Sequence, residues 1–306
     1  MAVGGGIDCV AGWIQKSVSA ATWSSYTKVW RNWVDFVKES GEGPVGDQVR
    51  WLVLCYVARL LEEGVSASAV NKTLAGLAFW FKLQGQPDFT KDFWVRQAMK
   101  GYRKAVVRRD TRRPVTFGVL GGIVEQLPRV CSSLYEVALF KAAFLLAFFG
   151  AFRVGELVSP SKKVQGGNGS QEVVCGEGDL RLFWRRSKTD QTGKGRSVRV
   201  FAVGGSELCP VGAVREFLAL RPQTVGSFLI HSDGSPVSRF QFVAVFRKCL
   251  GALGLIGKEF SSHSFRIGAA TEAARAGMDG EAVKRIGRWE SRRFQLYVRP
   301  HLAVGL

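Results

Sequence analysis

Acidic residues are scarce in this chain. Against 43 Lys and Arg stand only 25 Asp and Glu, so the 306 residues carry a formal charge of +18. A surface so short of carboxylates attracts polyanions; nucleic acid is the commonest of these and acidic lipid the other. Histidine and cysteine are sparse too. Histidines stand only at 231, 263 and 301, and cysteines at 9, 55, 131, 175, 209 and 249. No two cysteines make a C-x-x-C pair and no Cys/His cluster has zinc spacing, so no metal site is expected. Unpaired thiols in this pattern fit a reducing, intracellular compartment.

Other signatures are missing. The longest apolar run, Ala142 to Phe152, is too short to span a bilayer and ends at Arg153, so it reads as a core helix with no membrane role. The opening MAVGGGIDCV lacks the basic-then-apolar build of a signal peptide. No G-x-x-x-x-G-K-[ST] phrase or dinucleotide fingerprint occurs, so no nucleotide or other cofactor is expected. The glycines at 166–169 read as a loop.

What is present is core material, 46% hydrophobic residues with 21 Phe and 9 Trp, enough for two domains. The fold class reads as mainly α with a small β-hairpin. Residues 1–107 form a helical bundle, 108–114 a linker and 115–306 an α+β domain. In the first part, Trp23, Tyr26, Trp30, Trp33 and Val37 recur at helix spacing, followed by helices over Val49 to Leu61, Ser66 to Leu83 and Phe89 to Val107. The last of these four turns basic at Lys100, Arg103, Lys104, Arg108 and Arg109. With Arg112 and Arg113 of the strap RRDTRRP, they are candidate DNA contacts. Helices follow at Phe117 to Gln126 and Ser133 to Phe149, and a Gly-, Lys- and Ser-rich loop, expected to be mobile, covers 159–170. Leu180, Leu182 and Trp184 alternate with arginines, and Val198, Val200 and Ala202 alternate again, which makes a hairpin with SKTDQTGKG at its tip. The rest is helical.

Two segments rise above this background. In HSFRIGAAT (263–271), His263 and Arg266 are three apart and share a helix face. They could grip one phosphate, although a capping His and a surface Arg would look the same. In GRWESRRFQLYVRP (287–300), Trp289 and Tyr297 lie among arginines, the mixture a nucleic-acid surface uses. An amphipathic helix would also place those aromatics in a core.

Together, in this order, the two segments resemble the catalytic half of tyrosine recombinases and phage-type integrases. The wording is closest to the recombinases of DIRS- and Ngaro-type retrotransposons. That family places an arginine in a G-x-R-x-x-E/D-L phrase, here Gly150 to Leu157 with Arg153, and a lysine on a hairpin tip in S-K-T-D, here Lys188. Trp289 matches its His/Trp position and Tyr297 its nucleophile. The motifs cover about residues 110–300, and the N-terminal bundle matches only in kind, as a core-binding domain.

The resemblance implies a site-specific recombinase that cleaves and rejoins double-stranded DNA through a 3′-phosphotyrosyl intermediate, without metal or cofactor. Arg153 and Arg266 would meet the charge on phosphorus, Lys188 would protonate the leaving oxygen, and His263 would act as base or phosphate donor. Trp289 could donate one N–H, and Glu156 would orient Arg153 or the His263 region. Self-association on DNA, dimer to tetramer, is expected, although VRPHLAVGL is short for the usual docking helix. The retroelement likeness places the protein in the nucleus if the host is eukaryotic. A catalytically inactive DNA-binding protein on the same scaffold and a topoisomerase-like relaxing enzyme are the alternatives.

Overall fold

A computed structural model describes residues 4–41, 48–106, 110–162, 166–167, 169–184 and 195–303. Its contacts divide the chain into two units, Met1–Arg109 and Asp110–Leu306.

The first unit is a helical bundle: α1 (Gly4–Lys16), α2 (Ala20–Glu39), α3 (Gln48–Glu62), α4 (Ala67–Leu83) and α5 (Phe93–Ala105). Side-chain caps start three of them: Ser19 accepts from Thr22 N–H, Ser66 from Ala69 N–H and Asp92 from Trp94 N–H. Trp33, Val53, Val57, Leu77, Phe81, Val95 and Met99 are buried together. The sequence reading differs in two places. Helix α1 was not expected, because its Gly4-Gly5-Gly6 start hides the apolar spacing. The helix expected over 89–107 is divided into a 3-10 turn, Phe89–Lys91, and α5, because the Asp92 carboxylate opens a new helix. Lys100, Arg103 and Lys104 lie exposed on α5, with Arg103 donating to Asn71 Oδ1 at 2.9 Å.

The second unit is built round one apolar helix. Its elements are α6 (Phe117–Val130), α7 (Leu134–Phe149), α8 (Val154–Leu157), β1 (Val173–Cys175), β2 (Asp179–Trp184), β3 (Arg196–Phe201), α9 (Pro210–Leu220), α10 (Arg239–Ala252), α11 (Ser264–Arg275) and α12 (Gly280–Gly287), with a 3-10 helix at Arg292–Tyr297. Ten residues of α7 are buried, because α6, α9 and α11 all pack on it. A helix apolar all round needs such complete cover. Phe144 of α7 meets Phe242, Phe246 and Phe265 at centroid distances of 5.0–6.0 Å, joining α10 and α11 to it. The strands form an antiparallel sheet in the order β1-β2-β3, one strand more than the hairpin expected. Leu180 pairs with Val200 and Leu182 with Val198. Leu180, Leu182 and Val200 are buried, while Arg181 and Arg199 face out. The tip, with Lys188, lies outside the described residues.

Two connecting segments were also read from the sequence. The linker was placed at 108–114, yet Asp110 to Pro114 belong to the second unit. Arg113 N–H donates to Glu259 O at 2.8 Å, and its Nε lies 3.0 Å from Glu259 Oε2. Residues 108 and 109 lie outside the described residues. Of the loop expected over 159–170, Ser159 is fully buried and bridges to Ser238, while residues 163–165 and 168 lie outside the described residues.

The strap and α11 meet backbone to backbone. Val115 N–H donates to Ser264 O at 3.0 Å, and a Cβ on Gly268 would fall 1.9 Å from Val115 O. A methyl group has no room there. Gly268→Ala is therefore expected to cost about 2–3 kcal/mol in denaturant unfolding. Gly251→Ala in α10, which meets nothing within 4 Å, should leave stability unchanged or slightly raised.

Candidate active site

The site begins where α7 ends. Gly150 closes that helix, Ala151 turns at φ 43°, and Arg153 opens α8. A non-glycine residue in this left-handed region is held by its surroundings. Here the holders are guanidiniums. Arg266 Nη1 and Arg288 Nη2 both donate to Ala151 O, and Arg288 Nη1 donates to Gly150 O at 2.9 Å. Arg288 also lies over the Phe152 ring, 4.7 Å from its centroid.

Glu156 joins this turn to its cations. One carboxylate oxygen accepts from Arg153 Nη1 at 2.9 Å. The other accepts from Arg153 N–H and from Arg288 Nη2, each at 2.9 Å. Arg153 is thus aimed by a carboxylate one helical turn away, one of the two arrangements considered for Glu156, while its side chain stays 35% exposed. Arg288 was read only as part of an arginine run; its place as a bridge depends on the left-handed cap of α12 (φ 55°), which composition does not reveal.

Arg266 sits in the first turn of α11 and is 1% exposed. Its Nη2 donates to Gly287 O at 2.9 Å. Its guanidinium lies 4.7 Å from the Trp289 ring centroid and 5.7 Å from that of Tyr297, and the two rings are 5.0 Å apart. Burial and the neighbouring Arg153 and Arg288 pull its pKa down to about 10, which leaves it charged at neutral pH. Arg266 Nε–H and Trp289 Nε1–H are buried donors with no hydrogen-bond partner among the described residues.

His263 caps α11 one turn before Arg266. Burial lowers its pKa, and the positive field of Arg112, Arg266, Arg239 and Arg153 lowers it further, which favours the neutral imidazole. Tyr297 is half-buried at the end of its 3-10 helix. The structure therefore brings Arg153, His263, Arg266, Trp289 and Tyr297 together, with Glu156 beside Arg153. Arg112 also faces this cluster, since its charge acts on both His263 and Tyr297. Lys188, Arg108 and Arg109 lie outside the described residues, and Lys100, Arg103 and Lys104 belong to the other unit. Among the described residues no His, Cys, Asp and Glu cluster could hold a metal ion. A cavity of about 660 Å³ beside β2 is lined by none of the candidates. The cluster is cationic, with Arg266 buried and Arg153, His263 and Tyr297 partly exposed.

The pattern of the phage integrase family matches residues 124–301. The chain belongs to the phage integrase family. This integrase-family chain is 25% identical, over 91% of its length and 81% of the relative's, to the integrase/recombinase XerD homolog of Selenomonas ruminantium. Its fold is similar to the Tn1549 transposon integrase in complex with transposon right end DNA (TM-score 0.62, 15% identity, 97% of this chain and 93% of that one). It is likewise similar to the XerH site-specific recombinase bound to palindromic difH substrate (0.62, 12%, 92% and 77%) and to a lambda integrase dimer bound to a core site (0.61, 14%, 94% and 76%). Its activity is that of a tyrosine-type site-specific recombinase, a class that cleaves and rejoins DNA.

A buried neutral His263 has a thermal signature. Its folded pKa lies below the unfolded value of about 6.5. Between the two values the unfolded chain binds more protons, so this contribution to stability is complete above the unfolded pKa and is lost as pH falls through the folded one. The melting temperature of the wild type should fall more steeply from pH 7 to pH 5 than that of His263→Gln; parallel curves would count against a depressed pKa.

Proposed function

We propose that Tyr297 is the nucleophile and that Arg153, Arg266, His263, Trp289 and Lys188 act with it on one backbone phosphate of double-stranded DNA. Tyr297 Oη attacks phosphorus, the phosphorus–O5′ bond breaks, and a 3′-phosphotyrosyl ester remains. The phenol proton passes to His263, whose neutral ring can accept it. The departing O5′ takes a proton from Lys188. Rejoining reverses these steps with a 5′ hydroxyl as nucleophile, so the ester conserves the bond energy.

One observation supports this most: two unpartnered buried donors, Arg266 Nε and Trp289 Nε1, lie beside the Tyr297 ring in a cluster rich in permanent cations. Leaving such donors unpaired costs about 1–3 kcal/mol each, and phosphate oxygens would satisfy them. Arginine meets the pentacoordinate phosphorus with a fixed fork.

The finer reading is a recombinase of the DIRS or Ngaro kind, supported by the wording of 263–271 and 287–300. It implies a mobile element or its domesticated descendant, access to chromosomal DNA in a nucleus, and assembly of two to four copies on DNA. Lys100, Arg103 and Lys104 on α5 would contact phosphates, as would Arg108 and Arg109.

The test is a nicked DNA duplex carrying the cognate site. Wild-type protein should become covalently attached, and Tyr297→Phe should abolish the adduct. Arg153→Lys and Arg266→Lys should each slow attachment by about 100- to 1000-fold. Purified wild type that never forms an adduct with cognate DNA removes the enzymatic reading; relaxation without exchange products would point to a topoisomerase-like enzyme.

A further inference from the structure

We infer that Asp110 and Arg299 form a latch that positions Tyr297, tying the segment that carries it to the place where the chain enters the second unit. The inference rests on Tyr297 being the nucleophile.

The short 3-10 helix at Arg292–Tyr297 packs on α11 and α12 through Phe294, which meets Ala270, Ala273 and Val283. Helices of this kind are tight, with poor hydrogen-bond geometry, and rarely persist beyond a turn. Only Phe294 within it is buried. The residues just beyond Tyr297 are gripped as well. Arg299 is 11% exposed in its side chain, and every nitrogen of its guanidinium is used. Its Nε donates to Leu296 O at 2.8 Å, within the 3-10 helix itself. Its Nη1 donates to Arg112 O at 3.0 Å and Asp110 O at 3.3 Å, and its Nη2 to Asp110 Oδ2 at 2.6 Å. One side chain thus joins the helix carrying Tyr297 to the first residues of the second unit.

A second anchor works from α11. The Thr271 hydroxyl is fully buried and accepts Arg299 N–H at 3.0 Å. Its own proton lies between Ile267 O at 2.7 Å and Tyr297 O at 3.2 Å. The backbone is fixed on both sides of Val298, one residue from the phenol.

Asp110 serves a second cation. Its carboxylate takes a fork from Arg112, with Nε at 2.8 Å and Nη2 at 2.6 Å. The two guanidiniums hold the Asp110 carboxyl well below the usual carboxylate range, so it stays ionised at working pH. Arg112 is the cation that weighs most on His263 and also acts on Tyr297. The same carboxylate therefore fixes where Tyr297 lies and orients a charge toward it. In-line attack is unforgiving of misplacement, and an error of about 1 Å costs on the order of 100-fold in rate.

The experiment uses full-length Asp110→Asn, Arg299→Lys and the double variant. Three quantities are measured: affinity for cognate duplex, single-turnover attachment to nicked DNA at saturating protein, and hydrogen exchange over residues 294–303. The latch predicts affinity within about twofold of wild type, attachment slowed about 10- to 100-fold, and faster exchange in that segment. The double variant should be no slower than the slower single, because the residues act as one unit. Arg299→Lys keeps the charge and loses only the fork, so it separates positioning from simple electrostatics. Attachment within threefold of wild type, or unchanged exchange, would overturn the latch. A loss of affinity that accounts for the whole rate loss would also overturn it, assigning these residues to DNA contact. If wild type forms no adduct while the variants speed exchange, the nucleophile assignment fails and the tether stands as structure alone.

Discussion

A guanidinium shut away from water with no carboxylate on it is the constraint round which the second unit is arranged. Isolated burial of a cation costs several kcal/mol unless its protons find acceptors. Arg266 finds them at two helix ends: Ala151 O just past α7 and Gly287 O at the close of α12. Carbonyls there carry the negative end of each helix dipole. Two helices therefore share the work that one acidic side chain would otherwise do. The arrangement leaves the charge of Arg266 intact, where a direct carboxylate partner would cancel it. The cost of exposing those acceptors correctly is carried by α7, whose ten buried residues let it move very little.

The neighbouring arginines follow a different rule. Arg153 and Arg288 share Glu156, so one negative charge serves two positive ones and a net cation remains. Arg288 then holds the turn at Gly150 and Ala151 from the outside while Arg266 holds it from within. A turn gripped from both sides sets the direction of Arg153 without a rigid strand or helix running through it. Close to Tyr297 the same economy recurs, with Asp110 divided between Arg112 and Arg299. The acidic residues missing from the composition are missing where their absence strengthens the field.

Much of this was legible in the amino-acid order. The apolar run after Ser133, the alternation from Leu180, and the spacing of His263 from Arg266 each follow from a periodicity that chain geometry imposes. What escaped has a common cause. The division of 89–107 depends on one carboxylate winning a backbone N–H. Helix α1 lies behind three glycines, and β1 is only three residues long, too short for alternation to register. Arg288, Arg299, Asp110 and Thr271 were visible only as charge or as parts of a phrase. Their long-range partners are 26 to 189 positions away in sequence, and only folding brings such pairs together.

Three glycines near the cationic cluster stand where side-chain rings or backbone already fill the space. A Cβ on Gly150 would lie 2.1 Å from the Phe152 ring, on Gly287 1.7 Å from the Trp289 ring, and on Gly268 1.9 Å from the Val115 carbonyl oxygen. Each adjoins a residue of the cationic cluster. The immediate surroundings of the cluster thus have almost no mutational slack. A randomised library that touches these three glycines would be dominated by misfolded members, whereas exposed positions such as Lys100 and Lys104 of α5 leave room for change.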